Sequence, residues 1–170
     1  TLLGVSSFPT DHVLSLGMGG MHGMPYASLT ISRADLVIGL GIRFDDRLTG
    51  KPSAFIPNAK VIHIDVDPSE ISKNIKATIP IVGDLKQVLS ALIPHVSSAQ
   101  RTDWLKYIEN LRMEHPSHKI RETHQLLPQY ILKKLSESTD GRSIIVTGVG
   151  QHQMWAAQHC VFKESNCMIT

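Results

Sequence analysis

The sequence predicts an α/β protein: a three-layer, open and mainly parallel sheet, truncated at both ends. Three observations carry the prediction. The apolar runs are short, rich in β-branched residues, and end at glycine or a carboxylate, as in residues 35–41, 60–65, 80–84 and 143–147. Stretches of helical pattern separate them, as parallel strands require. Glycine clusters stand where a strand gives way to a helix, the place where open α/β sheets bind ligands.

The elements follow in order. Residues 1–5 read as a strand or its exit, without an initiator methionine, and residues 167–170 stop in another short apolar run, so both ends are expected to be cuts in a longer protein. Residues 17–23 hold four glycines beside Met18 and Met21. Such a backbone can come within hydrogen-bonding distance of a ligand, or form a mobile surface loop. A helix is expected over 26–34 and a buried strand over 35–41. Arg43, Asp45, Asp46 and Arg47 follow that strand's carboxyl end, either as a local ion-pair network or as ligand contacts. The strand over 60–65 ends in Asp65. Asp67 and Pro68 predict a helix over 68–74, as N-cap and first helical residue. A short strand over 80–84 leads to Asp84, a candidate cap for a helix over 85–93. Beyond Pro94, Trp104, Leu105, Ile108 and Leu111 recur at helical spacing until about residue 114, and Pro116 interrupts them. Helical pattern resumes over 128–135, followed by a turn at Gly141, the strand over 143–147 and a helix opening at Gln151. The expected organisation is one partial domain over 1–95, a linker with one helix over 96–127, and the beginning of a second domain over 128–170.

Composition excludes several classes. With 42% hydrophobic and 19% charged residues the 170-residue chain can bury a core and is not disordered. Its net charge of +2 comes from scattered basic residues, so no nucleic-acid partner is expected. No apolar run is long enough to span a membrane and no signal peptide opens the chain. Cys160 and Cys167 form no CxxC pair, which suits a reducing compartment and gives neither a disulfide framework nor a zinc site. Glu114, His115 and His118 lie in a polar loop without cysteine partners and are read as solvated residues.

Two patterns point to ligands. In Gly148-Val149-Gly150-Gln151-His152 a strand meets a glycine turn and then a helix. The free N–H groups and positive dipole end of such a helix suit a phosphate, although many turns of this shape bind nothing. Asp65 and Asp84 are carboxylates at strand tips, where paired oxygens match the vicinal hydroxyls of a ribose. Each can instead merely cap the following turn. The G-x-G-x-x-G fingerprint of dinucleotide folds is absent.

Taken in order, Gly20-Met21-His22-Gly23, residues 41–51, residues 61–71, Pro80-Ile81-Val82-Gly83-Asp84 and residues 148–158 resemble the acetohydroxyacid synthase (acetolactate synthase) family of thiamine diphosphate-dependent enzymes. The likeness covers the central FAD-binding domain, a Rossmann-like nucleotide-binding domain of the DHS type, and the opening of the C-terminal thiamine diphosphate domain. It implies that His22, Gly23, Gly41, Ile42 and Arg43 line FAD, and that Asp65, Val66, Gly83 and Asp84 hold its adenosine half. Gln151 and His152 would contact the diphosphate of thiamine diphosphate. Met21, Asp46 and Arg47 would stand at the mouth of the substrate channel, where the family's inhibitors bind. FAD takes no part in net redox chemistry in this family, and magnesium serves the diphosphate. The family's upstream glutamate and downstream magnesium-binding segment are not among these residues. No catalytic or metal-binding residue is therefore assigned, and the chain alone is expected to be inactive.

The resemblance further implies a parent enzyme that decarboxylates pyruvate and condenses it with a second 2-oxoacid, pyruvate or 2-oxobutyrate, in branched-chain amino acid synthesis. It would be a homo-oligomer, open to a regulatory small subunit, and cytoplasmic, or organellar in a eukaryote. The sequence departs from the family's usual pattern at Met24-Pro25-Tyr26-Ala27-Ser28, where Ser28 replaces an asparagine, and at Gly148, where aspartate or threonine is common. The alternative is a non-catalytic module of another thiamine diphosphate enzyme, binding a nucleotide such as NAD or ADP or serving as a scaffold.

Overall fold

The computed structural model describes residues 1–117 and 119–170. His118, weighed above with Glu114 and His115, lies outside the described residues. The chain forms two compact units, one of residues 1–28 with 114–170 and one of residues 29–113. Helix α1 (Pro25–Arg33) crosses the boundary between them in sequence.

The 29–113 unit is built on β1 (Leu36–Leu40), β2 (Lys60–Asp65) and β3 (Ile79–Val82), all parallel and adjacent in that order. Two short helices, α2 (Asp46–Thr49) and α3 (Pro52–Phe55), lie between β1 and β2 in sequence. The core gathers Phe44, Ile56, Val61 and Ile75, with Val37, Ile42 and Phe55 packed against them. Helix α4 (Leu85–Leu92) starts where Asp84 accepts a hydrogen bond from the Gln87 N–H at 3.0 Å, the N-cap expected from sequence. Helix α5 (Thr102–Glu114) buries Ile108 and Leu111, three residues apart and so on one face.

The other unit contains α6 (Pro128–Ser138), β4 (Ile145–Val146), α7 (Gln151–His159) and β5 (Met168–Ile169), with β4 and β5 parallel. Phe162, fully buried, sits in a core with Val5, Met18, Ala156, Ala157, Cys160, Cys167 and Met168. Thr10 fastens its backbone on both sides: the Thr10 N–H donates to the Phe162 carbonyl at 2.9 Å, and Thr10 Oγ1 accepts from the Phe162 N–H at 2.8 Å. The chain is thus α/β with open parallel sheets, the class of a three-layer, Rossmann-like domain.

Three expectations are corrected. Strand β1 is not buried along its length: Leu36, Ile38 and Leu40 are 45%, 45% and 43% exposed, and only Gly39 is buried. Residues 68–74 form turns, not a helix. The Asp67 carboxylate accepts from the Ser69 N–H at 2.8 Å, a local bond that competes with helix, and Ser72 takes a left-handed φ of 60°. Ser72 Oγ then accepts from the Ala77 N–H at 3.0 Å and folds the segment back. Residues 1–5 form no strand either. The N–H groups of Val5 and Ser7 donate to Leu2 and Gly4 carbonyls in a 3-10 turn over Val5–Ser7. The segment meets β5 through a side chain, Ser6 Oγ accepting from the Met168 N–H at 3.1 Å, rather than through a ladder.

Both cysteines are free and buried, and burial pushes the Cys160 thiol above its ordinary range. Iodoacetamide at mildly alkaline pH is therefore expected to label the folded chain at least about tenfold more slowly than the urea-unfolded chain. Equal labelling would contradict the packing around Phe162.

Candidate functional site

Because β1, β2 and β3 are parallel, their carboxyl ends share one edge of the sheet. The ladder pairs Leu40 with Ile64 and Asp65 with Val82. One further bond on each side aligns the residues beyond: the Gly41 N–H donates to the Ile64 carbonyl at 2.9 Å, and the Gly83 N–H to the Asp65 carbonyl at 2.9 Å. Gly41, Asp65 and Gly83, chosen from sequence, thus stand side by side across three strand tips. Gly41 has a φ of 59°, and a Cβ built on it would meet no atom within 4 Å. This is open space over left-handed backbone, which favours glycine and leaves room for a ligand. Val66, next to Asp65, is 71% exposed.

The two strand-tip carboxylates already carry structural work. Asp65 Oδ1 accepts from the Asp67 N–H at 2.9 Å, and Asp84 Oδ1 caps α4. Each carboxylate has a second oxygen, so capping and ribose binding are compatible. The acids and arginines after β1 form ion pairs: Arg43 with Asp45 at 3.2 Å and Arg47 with Asp46 at 3.7 Å. All four side chains are substantially exposed, so these pairs add little stability and leave the charged groups accessible. Asp45 also caps α2 through the Leu48 N–H.

Four residues that hold this edge were not chosen from sequence. His63 is 1% exposed, and its Nε2–H donates to the Ile42 carbonyl at 2.7 Å. Its ring meets that of Phe44 edge-on at 5.0 Å. Asn74 Nδ2 donates to the Arg43 carbonyl at 3.0 Å. Gly39, paired with His63 across β1 and β2, leaves the space that Phe44 fills; a Cβ there would lie 2.7 Å from the Phe44 ring and 2.8 Å from Ile42. The available signals were a polar ring inside the β-branched run Val61-Ile62-His63-Ile64 and a glycine inside β1, neither of which names its partner.

In the other unit the glycine segment is closed on itself. The Met24 N–H donates to the Met18 carbonyl at 2.7 Å and the Gly23 N–H to the Gly20 carbonyl at 3.0 Å. Ser28 Oγ accepts from the Gly20 N–H at 3.0 Å, so this serine ties the loop. Gln158 of α7 donates to the His22 carbonyl at 2.6 Å. Met21 is 61% exposed and the His22 side chain is exposed, whereas Met18, expected beside a ligand, is 4% exposed and lies in the core.

Helix α7 opens on Gly150, with a φ of 156° and no side-chain cap. The His152 imidazole lies over the preceding turn, 2.9 Å from the place of a Cβ on Gly150 and 3.7 Å from one on Gly148. Gln151 and His152 are both exposed at this end. An uncapped helix start beside two glycines suits a diphosphate, and the open tip at Gly41 suits an extended nucleotide. Among the described residues no group of three His, Cys, Asp or Glu side chains can hold a metal ion, and no helix is long and apolar enough to cross a membrane.

The chain is 44% identical to an acetolactate synthase of Mycobacterium leprae (strain TN), over 96% of its own length and 27% of that protein's. It is 44% identical to acetolactate synthase 1, chloroplastic, of Zea mays, over 96% and 26% of the two lengths. To the acetolactate synthase large subunit of Lactococcus lactis subsp. lactis (strain IL1403) it is 42% identical, over 100% and 30%. The chain thus spans between about a quarter and a third of the relatives it matches. Residues 1–92, more than half of the chain, match the central domain of thiamine pyrophosphate enzymes, and the chain belongs to that family.

Proposed function

We propose that this chain is the FAD-binding centre of an acetolactate synthase, together with the start of its thiamine diphosphate domain. The observation that carries the reading is the alignment of Gly41, Asp65 and Gly83 across three parallel strand tips, supported by relatives that bear that name. Asp65, Val66, Gly83 and Asp84 hold the adenosine half, and Gly41, Ile42 and Arg43 follow the remainder of the dinucleotide. In the other unit Gln151, His152 and the opening of α7 bind the diphosphate of thiamine diphosphate, whose magnesium is held by residues outside this set. Thiamine diphosphate, when bound, supplies carbanion stabilisation. The residues present here bind and orient; none of them moves a proton in the reaction. Met21, Asp46 and Arg47 are all exposed, and the mouth of the substrate channel is the role proposed for each. The domain division proposed is 1–95, 96–127 and 128–170.

The parent enzyme then decarboxylates pyruvate and joins it to a second 2-oxoacid, pyruvate or 2-oxobutyrate, on the route to branched-chain amino acids. It works as a homo-oligomer with a regulatory small subunit, in the cytoplasm or, in a eukaryote, in an organelle, as the chloroplastic name of the maize relative suggests.

Calorimetric titration of the full chain with FAD, with NAD and ADP as comparators, tests the reading. FAD is expected to bind in preference to both. Asp65→Asn keeps an oxygen for the Asp67 N–H but loses the charge that favours ribose, and is expected to weaken FAD binding about tenfold without lowering the melting temperature. A preference for NAD or ADP would replace the flavin reading by a general nucleotide module, and no binding at all would replace it by a scaffold.

A further inference from the structure

We infer that His63 and Asn74 are positioning residues that turn the backbone amides of Arg43 and Phe44 toward a pyrophosphate-bearing ligand. The inference rests on the nucleotide reading of the strand tips but makes a separate claim about the chain that leaves β1. The last ladder bond of β1 is that from the Gly41 N–H to the Ile64 carbonyl. After it the chain departs through the left-handed Gly41, and strand pairing no longer fixes the orientation of the next peptides.

Side chains do so instead. His63 Nε2–H binds the Ile42 carbonyl at 2.7 Å, and Asn74 Nδ2–H binds the Arg43 carbonyl at 3.0 Å, so two consecutive carbonyls are held by donors from β2 and from the turn after it. In a planar trans peptide the C=O and the following N–H point in opposite directions. Fixing the Ile42 carbonyl against the buried His63 therefore turns the Arg43 N–H away from the core. Fixing the Arg43 carbonyl against Asn74 likewise turns the Phe44 N–H away from Asn74. Neither amide forms a hydrogen bond among the described residues. Outward backbone N–H groups beside a glycine are the ordinary means of cradling an anion, and the exposed Arg43 guanidinium adds charge to the same segment.

The composition of the core supports a directed role. His63 lies on the same face of β2 as Val61 and is packed edge-on to Phe44, where an apolar residue would fill the space without a polar atom to satisfy. With Nε2 donating, Nδ1 is a buried acceptor that has no partner among the described residues. The one hydrogen bond that justifies an imidazole at this position is the bond to Ile42.

The test follows backbone amide signals of the full chain by nuclear magnetic resonance while inorganic pyrophosphate or FAD is added. Both probes are expected to move the Arg43 and Phe44 amides. His63→Leu, which removes the donor, should weaken each probe about tenfold, and His63→Gln, which restores an N–H donor, should bring affinity back to within about threefold. Asn74→Ala, at an exposed side chain that can be lost without unfolding, should weaken pyrophosphate about threefold and decides the matter if His63→Leu does not fold. A merely structural histidine would lower the melting temperature and leave affinity below that temperature unchanged. Arg43 and Phe44 amides that do not respond to pyrophosphate, or variants that bind it as tightly as the parent, would overturn the inference. A response to pyrophosphate without one to FAD would uphold the positioning role and overturn the flavin reading.

Discussion

Gly23→Ala is expected to destabilise the unit of residues 1–28 and 114–170 by about 3 kcal/mol or more, the upper range for forcing atoms into a filled space. A Cβ built on Gly23 would lie 2.3 Å from the Met18 carbonyl oxygen and 2.5 and 2.6 Å from the backbone of Gly19. These are main-chain atoms and cannot swing aside as a side chain can. Relief requires the loop to open, which breaks the bond from the Met24 N–H to the Met18 carbonyl and leaves a polar backbone group unsatisfied. It also draws Met18 and Met24, now 4% and 6% exposed, out of their packing. Each unit carries one tryptophan, Trp155 in the first and Trp104 in the second, so urea titrations of single-tryptophan variants report on them separately. The Trp155 midpoint should fall sharply. An unchanged Trp155 transition would refute the close packing of this loop.

Gly23 also shows where sequence reasoning stops. A glycine-rich loop is legible as a place of close approach, but the sequence does not say what approaches; in the structure it is the loop's own backbone. Strand β2 was legible to the residue because a β-branched run is bounded by Lys60 and Asp65. The start of α4 was legible because Asp84 precedes a run of helical period. The helix expected over 68–74 failed because Asp67 and Pro68 serve a turn as well as a helix start, and the choice was made by Ser72 in left-handed backbone. Asp65 was legible from the strand-end rule, whereas Gly41 and Gly83 were named by the family resemblance; the three align because they sit at the tips of parallel strands. His63 and Gly39 were not legible as a pair. Their relation depends on the register between β1 and β2, which no spacing within one strand records.

That register supports the second large effect, in the unit of residues 29–113. Gly39→Ala is expected to lower its stability by about 2 to 3 kcal/mol, read from the Trp104 transition. The new methyl would stand 2.7 Å from the Phe44 ring and 2.8 Å from Ile42. Phe44 cannot retreat easily. It is 2% exposed, packs edge-on against His63 at 5.0 Å, and meets Phe55 at 6.3 Å. Its backbone is held at a φ of 48°, so tilting the ring pulls on a residue already in a disfavoured conformation. A second substitution separates this clash from a general intolerance of β1 to a side chain. Phe44→Leu alone leaves a partly filled cavity and is itself destabilising, but it removes the ring that the methyl introduced by Gly39→Ala would strike. The double variant should therefore lose less stability than the sum of the two single losses, a coupling expected between residues in direct contact. Strict additivity would show that the cost of Gly39→Ala arises elsewhere in β1. Because Ile42 and Phe44 flank Arg43, the single Gly39→Ala variant should also disturb the bond from His63 to the Ile42 carbonyl. A glycine inside a strand thereby sets the shape of the segment beyond it.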